Sequence, residues 1–245
     1  MRTQVIAIAA ACLSLIGVSS RAEEIRTTQC SRHKHPEISF QVTNPAVPDV
    51  DRQWLVKSLE DLVASGSRFK AGETLQLGGM INKFEKGPGG TLRLQEPDMR
   101  SMPIVFVDSV DATLKVVRSQ RDTVESFSEP VELTYAPLNH SIIVPPDFAT
   151  VATFSMERHD PEDSDSGWVM VGGENPPTKE ELANYKLVSM YEFALRRPEL
   201  VHLLAMPPGA VIALPAKGPR QYFLNEKALT VRPDSYLDQF QSKTP

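Results

Sequence analysis

The sequence has only two cysteines in 245 residues, Cys12 and Cys30. Cys12 falls in an apolar leader, so Cys30 would be left without an internal disulfide partner. The core must then be held by burial, which a chain of this length can supply. There is no excess of basic charge: 26 Lys and Arg face 31 Asp and Glu, a formal net charge of −5. The basic residues are scattered rather than striped, which argues against a nucleic-acid partner. No GxSxG, HExxH, Walker or GxGxxG pattern occurs, so neither a familiar hydrolase nor a nucleotide-binding site is indicated. Outside Val5–Val18 no uncharged apolar run approaches the length a bilayer requires.

What is present begins with that run. Met1 and Arg2 give a positive start, Val5–Val18 is apolar, and "SSRA" places Ser20 and Ala22 at the −3 and −1 positions of a cleavage site. This is the layout of a secretory signal peptide over residues 1–22, with a mature chain starting at Glu23 in the periplasm or outside the cell. A lipid anchor on Cys12 is the rival, but Ala9, Ala10 and Ala11 make a poor lipobox.

Residues 23–37 are polar and read as a tether, and removal of residues 23–36 is expected to leave stability nearly unchanged. Cys30, His33 and His35 lie in it as a weak metal candidate. Three soft ligands on a flexible segment fall short of a structural zinc site, so no metal and no cofactor is expected.

From residue 38 the pattern becomes periodic. "ISFQV" (38–42) reads as a strand. "DVDRQWLVKSLEDLVASG" reads as a helix with Trp54, Leu55, Leu59, Leu62 and Val63 inward, capped by Asp49 or Asp51 and closed by Gly66. Residues 73–98 read as a hairpin around Gly87, Gly89 and Gly90. Residues 103–109 read as a short strand and 110–127 as a second helix. "SEPVELTYAPLNHS" (128–141) is a connector. Apolar runs at 142–144 and 149–154 and "GWVMVGG" read as strands, residues 184–209 as helix broken at Pro198, and "AVIAL" and "QYFL" as closing strands. No regular βαβ rhythm appears. The expected class is α+β, with mixed or antiparallel sheets, flanking helices and two related halves, 38–140 and 141–245.

"HDPEDSDSGWVMVGGEN" (159–175) concentrates the acid. Asp163, Asp165 and Glu174 fit the first, third and twelfth positions of a calcium loop, but Gly167 then lacks a ligand and Trp168 replaces the glycine of the sharp turn. Paired carboxylates for acid–base work need one member in a low-dielectric pocket, and these sit in a polar loop. A solvated or partner-facing loop remains. Among the histidines, His202 lies between leucines and reads as structural.

Several segments in order resemble a known bacterial family. They are "LQEPDMRSMPIVFVDSV" (94–110), "RSQRDTVES" (118–126), "DSGWVMVGGE" (165–174), "KLVSMYEFALRRPEL" (186–200) and "LLAMPPGA" (203–210). Together they are similar to proteins carrying the immunity domain numbered thirty-three, formerly a domain of unknown function, from polymorphic toxin systems. The resemblance covers roughly residues 50–215 and brings no catalytic residues with it. It implies a non-enzymatic protein that binds and occludes a cognate protein toxin. It marks Gly167, Trp168, Tyr191, Glu192, Pro207, Pro208 and Gly209 as structural motif residues, with Trp168 in the core. The acidic residues Asp160, Glu162, Asp163, Asp165 and Glu174 are then the candidate partner-binding set. A periplasmic enzyme or small-ligand binder is the alternative. A buried titratable cluster in a pocket would favour that alternative, and an open, acidic, apolar-centred surface would favour the binder.

Overall fold

The structure, a computed structural model, describes residues 22–243. The leader reading rests on residues 1–21, Cys12 included, which lie outside the described residues. The fold is α+β, with two mixed sheets and helices beside them.

The first sheet is built from β1 (Glu23–Arg26), β2 (Ile38–Val42), β3 (Thr74–Leu77), β4 (Met80–Lys86), β5 (Leu92–Pro97) and β6 (Phe106–Val107). Its order is β1-β2-β5-β4-β3, with β6 on β5. Helix α1 (Asp49–Ala64) joins β2 to β3 and buries Leu55, Leu59 and Val63, one stripe at helical spacing. Trp54, expected inward, lies one position off that stripe and is 38% exposed. The expected aspartate cap is also corrected. Pro48 precedes the helix with no side-chain cap. Asp51 is instead buried and takes both arms of Arg118, at 2.5 and 2.6 Å.

The expected hairpin over 73–98 is a three-stranded meander, because Gly78 and Gly79 supply a second tight turn between β3 and β4. Helix α2 (Asp111–Val124) follows β6 and turns Leu114, Val117 and Val124 inward. Its first turn is satisfied from outside, since the buried Glu96 carboxylate accepts from the Thr113 amide at 2.7 Å. Burial outweighs such hydrogen bonds and pushes the Glu96 pKa up.

The second sheet comprises β7 (Ser141–Val144), β8 (Phe154–Arg158), β9 (Asp165–Gly172), β10 (Lys186–Ser189), β11 (Ala210–Leu214), β12 (Gln221–Leu224) and β13 (Lys227–Ala228). Its order is β10-β7-β9-β8-β11-β12-β13. The short helix α3 (Lys179–Leu182) precedes β10, and α4 (Met190–Arg196) follows it directly. A 3-10 turn (Pro198–Leu203) and the C-terminal α5 (Tyr236–Lys243) complete the layer. Three expectations change here. Residues 149–153 form a turn, so the strand starts only at Phe154. Residues 186–189 are a strand rather than helix, because Ser189 caps α4 by accepting the Glu192 amide. Helix α5 was not anticipated.

The polar tether is the largest correction. Ile25 pairs with Phe40 and Arg26 with Ser39, so residues 23–26 are an edge strand. Cys30 is fully buried, and His35 and Glu37 are buried beside it. The Glu37 carboxylate accepts from Thr27 Oγ1 at 2.6 Å, Ser31 N at 2.9 Å and Cys30 N at 3.2 Å. Long-range pairing and one buried anion order a segment whose composition suggests disorder.

Both sheets show the same succession of pairings. β1-β2-β5-β4-β3 and β10-β7-β9-β8-β11 each run antiparallel, parallel, antiparallel, antiparallel. The connections differ, since α1 joins β2 to β3 and a helix-free loop joins β7 to β8. The connector 128–140 is bonded to both halves: Leu138 N donates to Gly79 O and Thr134 N to Ala205 O, each at 3.0 Å.

Candidate functional site

Register decides which residues of the second sheet face the helices. Met156, Met170, Trp168 and Ile212 point to the core that α4 and the 3-10 turn cover. Residues of opposite parity point away from it. Across neighbouring strands Leu187 pairs with Ile143, Ile143 with Val169, Val169 with Glu157, Glu157 with Val211 and Val211 with Phe223. Directly paired residues share a face, so these six make one row across six strands. Leu187 is 67% exposed, the other five are partly exposed, and none belongs to either hydrophobic core. A cavity of about 660 Å³ opens beside this row, between Ser155, Glu157, Val171 and Ala213 of the sheet and the loop carrying Glu174 and Pro176.

The acidic residues frame this face but do not form one patch. Asp160, Glu162 and Asp163 are exposed in the β8–β9 loop. Asp163 takes a left-handed φ of 49°. Asp165 is partly buried at the start of β9, where its Oδ1 accepts the Gly167 amide at 3.0 Å and its own amide donates to Glu162 O at 2.7 Å. Glu174 lies beyond the other end of β9, roughly 25 Å of strand away.

The motif residues behind the face build a scaffold. Gly167 has φ +75°, and a Cβ there would stand 2.1 Å from His159 O, so no other residue fits this turn. Trp168 is fully buried, as expected, and donates from Nε1 to Leu204 O at 3.2 Å. Its ring lies 5.6 Å from the guanidinium carbon of Arg158. Arg158 is buried, with no carboxylate partner among the described residues. It donates to Thr134 O and Met206 O, each at 2.5 Å, and to Ser166 O at 3.3 Å. Burial lowers its pKa to about 10, which still leaves it charged at neutral pH.

The Pro207-Pro208-Gly209 turn closes on the same residue, with Gly209 N donating to Arg158 O at 2.7 Å. Tyr191 reaches the other half, its hydroxyl lying 2.7 Å from Asp98 O and 2.8 Å from Ser101 O. Glu192 sits in the first turn of α4, 3.9 Å from Arg196. Sequence reasoning passed over Arg158 and Glu157. The alternation Phe154, Met156, Arg158 already set Arg158 inward and Glu157 outward.

Two of the three weak metal candidates are held by other partners. His35 Nδ1 lies 2.6 Å from Pro36 O, and its Nε2 accepts the Phe69 amide at 3.0 Å, so both ring nitrogens are engaged. Cys30 Sγ donates to Thr27 Oγ1 at 3.4 Å, and His33 is exposed. Burial pushes the Cys30 thiol further up, away from the thiolate a metal needs. Among the described residues no three His, Cys, Asp or Glu side chains are grouped to hold a metal ion.

His202, read as structural, is buried against Tyr236 and Phe240. Burial, with Arg220 nearby, lowers its pKa to about 3. A cavity of about 840 Å³ is lined by Arg197, Glu199, Lys217, Arg220 and Asp238 among others. Arg197 there is already committed, to Glu199 at 2.6 Å and to Phe148 O at 2.7 Å.

No curated protein and no solved structure matches the chain. One family model does. It starts within α2 and ends in β12, so the segments before residue 119 that share the resemblance lie outside it. Residues 119–222, which contain the whole Arg158–Trp168 scaffold and most of the open face, match the model of the Imm33-like domain.

Proposed function

We propose that this chain is an exported immunity-type protein that binds a cognate bacterial toxin and occludes it without chemistry of its own. The observation that carries the reading is the acidic β8–β9 loop, held at the rim of a rigid sheet inside the stretch that matches the Imm33-like domain. Opposite charge on a toxin would speed encounter, and a rigid rim limits the ordering cost of binding. The leader pattern of residues 1–22 supports export to the periplasm or beyond. Cleavage after Ala22 leaves Glu23, the first residue of β1, so processing removes nothing from the sheet. The shared succession of pairings supports reading the two halves as related.

The test is protection. The gene immediately upstream in the same genome is expressed in a sensitive bacterium, with its product directed to the periplasm, and survivors are counted with and without this chain. Protection by the full chain, lost when residues 2–22 are deleted, is the expected result. Equal killing in the presence of soluble, folded chain refutes the reading. N-terminal sequencing should find Glu23; retained Met1, or lipid on Cys12, refutes export by this route.

A further inference from the structure

The second sheet is layered with helices on one face only. The other face carries aliphatic residues where a solvent-facing antiparallel sheet normally alternates to polar ones. Ile143, Val169 and Val211 stand in one cross-strand row, with Val171 and Ala213 in the next. Six strands at about 4.8 Å spacing make this strip roughly 24 Å long, the scale of a protein interface rather than of a small-ligand pocket.

The charges say what fits it. Glu157 is the one ionisable side chain in the two rows, and no Lys or Arg joins it there. Its ion-pair neighbour among the described residues is His159 at 3.9 Å, which is neutral unless protonated. Asp160, Glu162 and Asp163 stand beyond one end of β8 and β9; beyond the other, Glu174 is joined by Lys217 and Arg220 of the β11–β12 loop, so the acidic end is the β8–β9 end. A second copy laid face to face would oppose Glu157 to an uncompensated Glu157 row, and with the β8–β9 ends together it would also oppose the two acidic loops. An anionic lipid surface would meet the same repulsion. Both occupants are disfavoured by the charges that would attract a cationic one.

We infer that this open face is the docking surface for a protein partner whose contact area is apolar at its centre and basic at its edges. Glu157 receives a partner Lys or Arg, and Val169 and Val211 pack against partner aliphatic side chains. The inference rests on the reading of the chain as a partner-binding protein, and it names the surface and the partner's chemistry.

The probe is a phage library of random linear peptides, selected on the immobilised full chain purified from the periplasm. Enriched peptides are then synthesised and their affinities measured. They should combine Lys or Arg with aliphatic residues. Val169→Asp and Glu157→Lys should each weaken them about ten-fold or more. Lys57→Glu on α1 should leave affinity unchanged. Raising salt from about 50 to about 300 mM should weaken binding several-fold. Circular dichroism and melting temperature check the fold of each variant. Leu187→Asp at the exposed sheet edge replaces Val169→Asp if the latter does not fold.

Acidic or uncharged winners, no enrichment, or equal binding to Val169→Asp would each overturn the inference. So would a dimer that Val169→Asp dissociates, which assigns the face to a second copy. Binding to phosphatidylglycerol vesicles that the same substitution abolishes would assign it to lipid. The protection assay separates the two levels. If the wild-type chain protects and Val169→Asp protects equally, this surface is wrong and the immunity reading stands. If the wild-type chain fails to protect, the immunity reading is wrong and the peptide result reports on the surface by itself.

Discussion

Replacing Glu37 by Gln removes the anion that holds residues 27–37 against the first sheet. The two carboxylate oxygens accept from Thr27 Oγ1, Ser31 N and Cys30 N within 2.6–3.2 Å. A glutamine retains one acceptor and presents an NH2 to the remaining donors, so part of the set becomes donor against donor. A hydrogen bond to a charged group contributes about 1.5–3 kcal/mol, and a buried donor left unpaired costs about 1–3 kcal/mol. The titration of Glu37 gives a second measure. Burial works against its ionisation, but the hydrogen bonds from Thr27, Ser31 and Cys30 outweigh burial and lower the pKa from 4.5 to about 2. At about 1.36 kcal/mol per pH unit, that lowering is on the order of 3 kcal/mol.

The folded pKa lies below the unfolded one. The stabilisation is therefore fully present above about pH 4.5 and is lost as pH falls through about 2. Urea unfolding of both chains, followed by tryptophan fluorescence near neutral pH and again near pH 3, reads the effect. The variant should be about 2–3 kcal/mol less stable at neutral pH, with the gap narrowing in acid. Equal stability at neutral pH would mean that the buried anion does not hold this segment. A gap that stays constant into acid would mean that charge is not the cause. Deletion of residues 23–36 should cost still more, since it removes β1 and uncovers β2.

Three other outcomes are expected. Trp168→Ala should cost about 3–5 kcal/mol in the same unfolding assay, because the ring is fully buried and its indole N–H is bonded; a loss below about 1 kcal/mol would contradict its core placement. His202→Leu should flatten the acid limb of stability: the wild-type ring stays neutral down to about pH 3, so the fold loses up to about 1.36 kcal/mol per pH unit below about 6.5, and the variant does not. An unchanged slope would place the titrating group elsewhere. Replacing Asp160, Glu162, Asp163 and Asp165 by Asn or Gln should leave the melting temperature unchanged, slow partner capture and flatten its salt dependence; capture at the wild-type rate in low salt would reduce the loop to a solvated connector.

The helices with clean stripes were legible in the sequence. Leu55, Leu59 and Val63 recur on one side of α1, as Leu114, Val117 and Val124 do on α2. Trp168 was legible too, because Gly167 permits the turn that brings it inward. The N-terminal segment was not. Its order comes from Ile25 pairing with Phe40 and from a carboxylate that gathers three donors, and both are long-range facts that a polar composition conceals. The start of α4 was written in Ser189 and Glu192, but Leu187 and Val188 fit the helical period and hid an edge strand. The candidate acids were legible as exposed. Their division between the two ends of β9 was not, because the sequence places Glu174 only nine residues after Asp165 and does not show that the strand lies between them.

The open face is legible only when sequence and sheet are taken together. "SIIV" and "GWVMV" are apolar at both parities, which by itself implies strands covered on two sides. The helices cover one side, and on the other the loop carrying Glu174 and Pro176 lies beside only part of the sheet. Folding accounts for Ile142, Met170 and Ile212, which the helices bury. It does not account for Ile143, Val169 and Val211, which would serve the fold as well if they were threonine, a residue of similar shape and β-propensity that tolerates water. β8 marks the contrast, since it alternates Phe154, Ser155, Met156, Glu157 and keeps its outward side polar. Aliphatic residues kept on the outer side of β7, β9 and β11, around one carboxylate on β8, describe a surface shaped by something other than its own core. If this face is the docking surface proposed above, the acidic β8–β9 loop at its end would select a partner carrying positive charge.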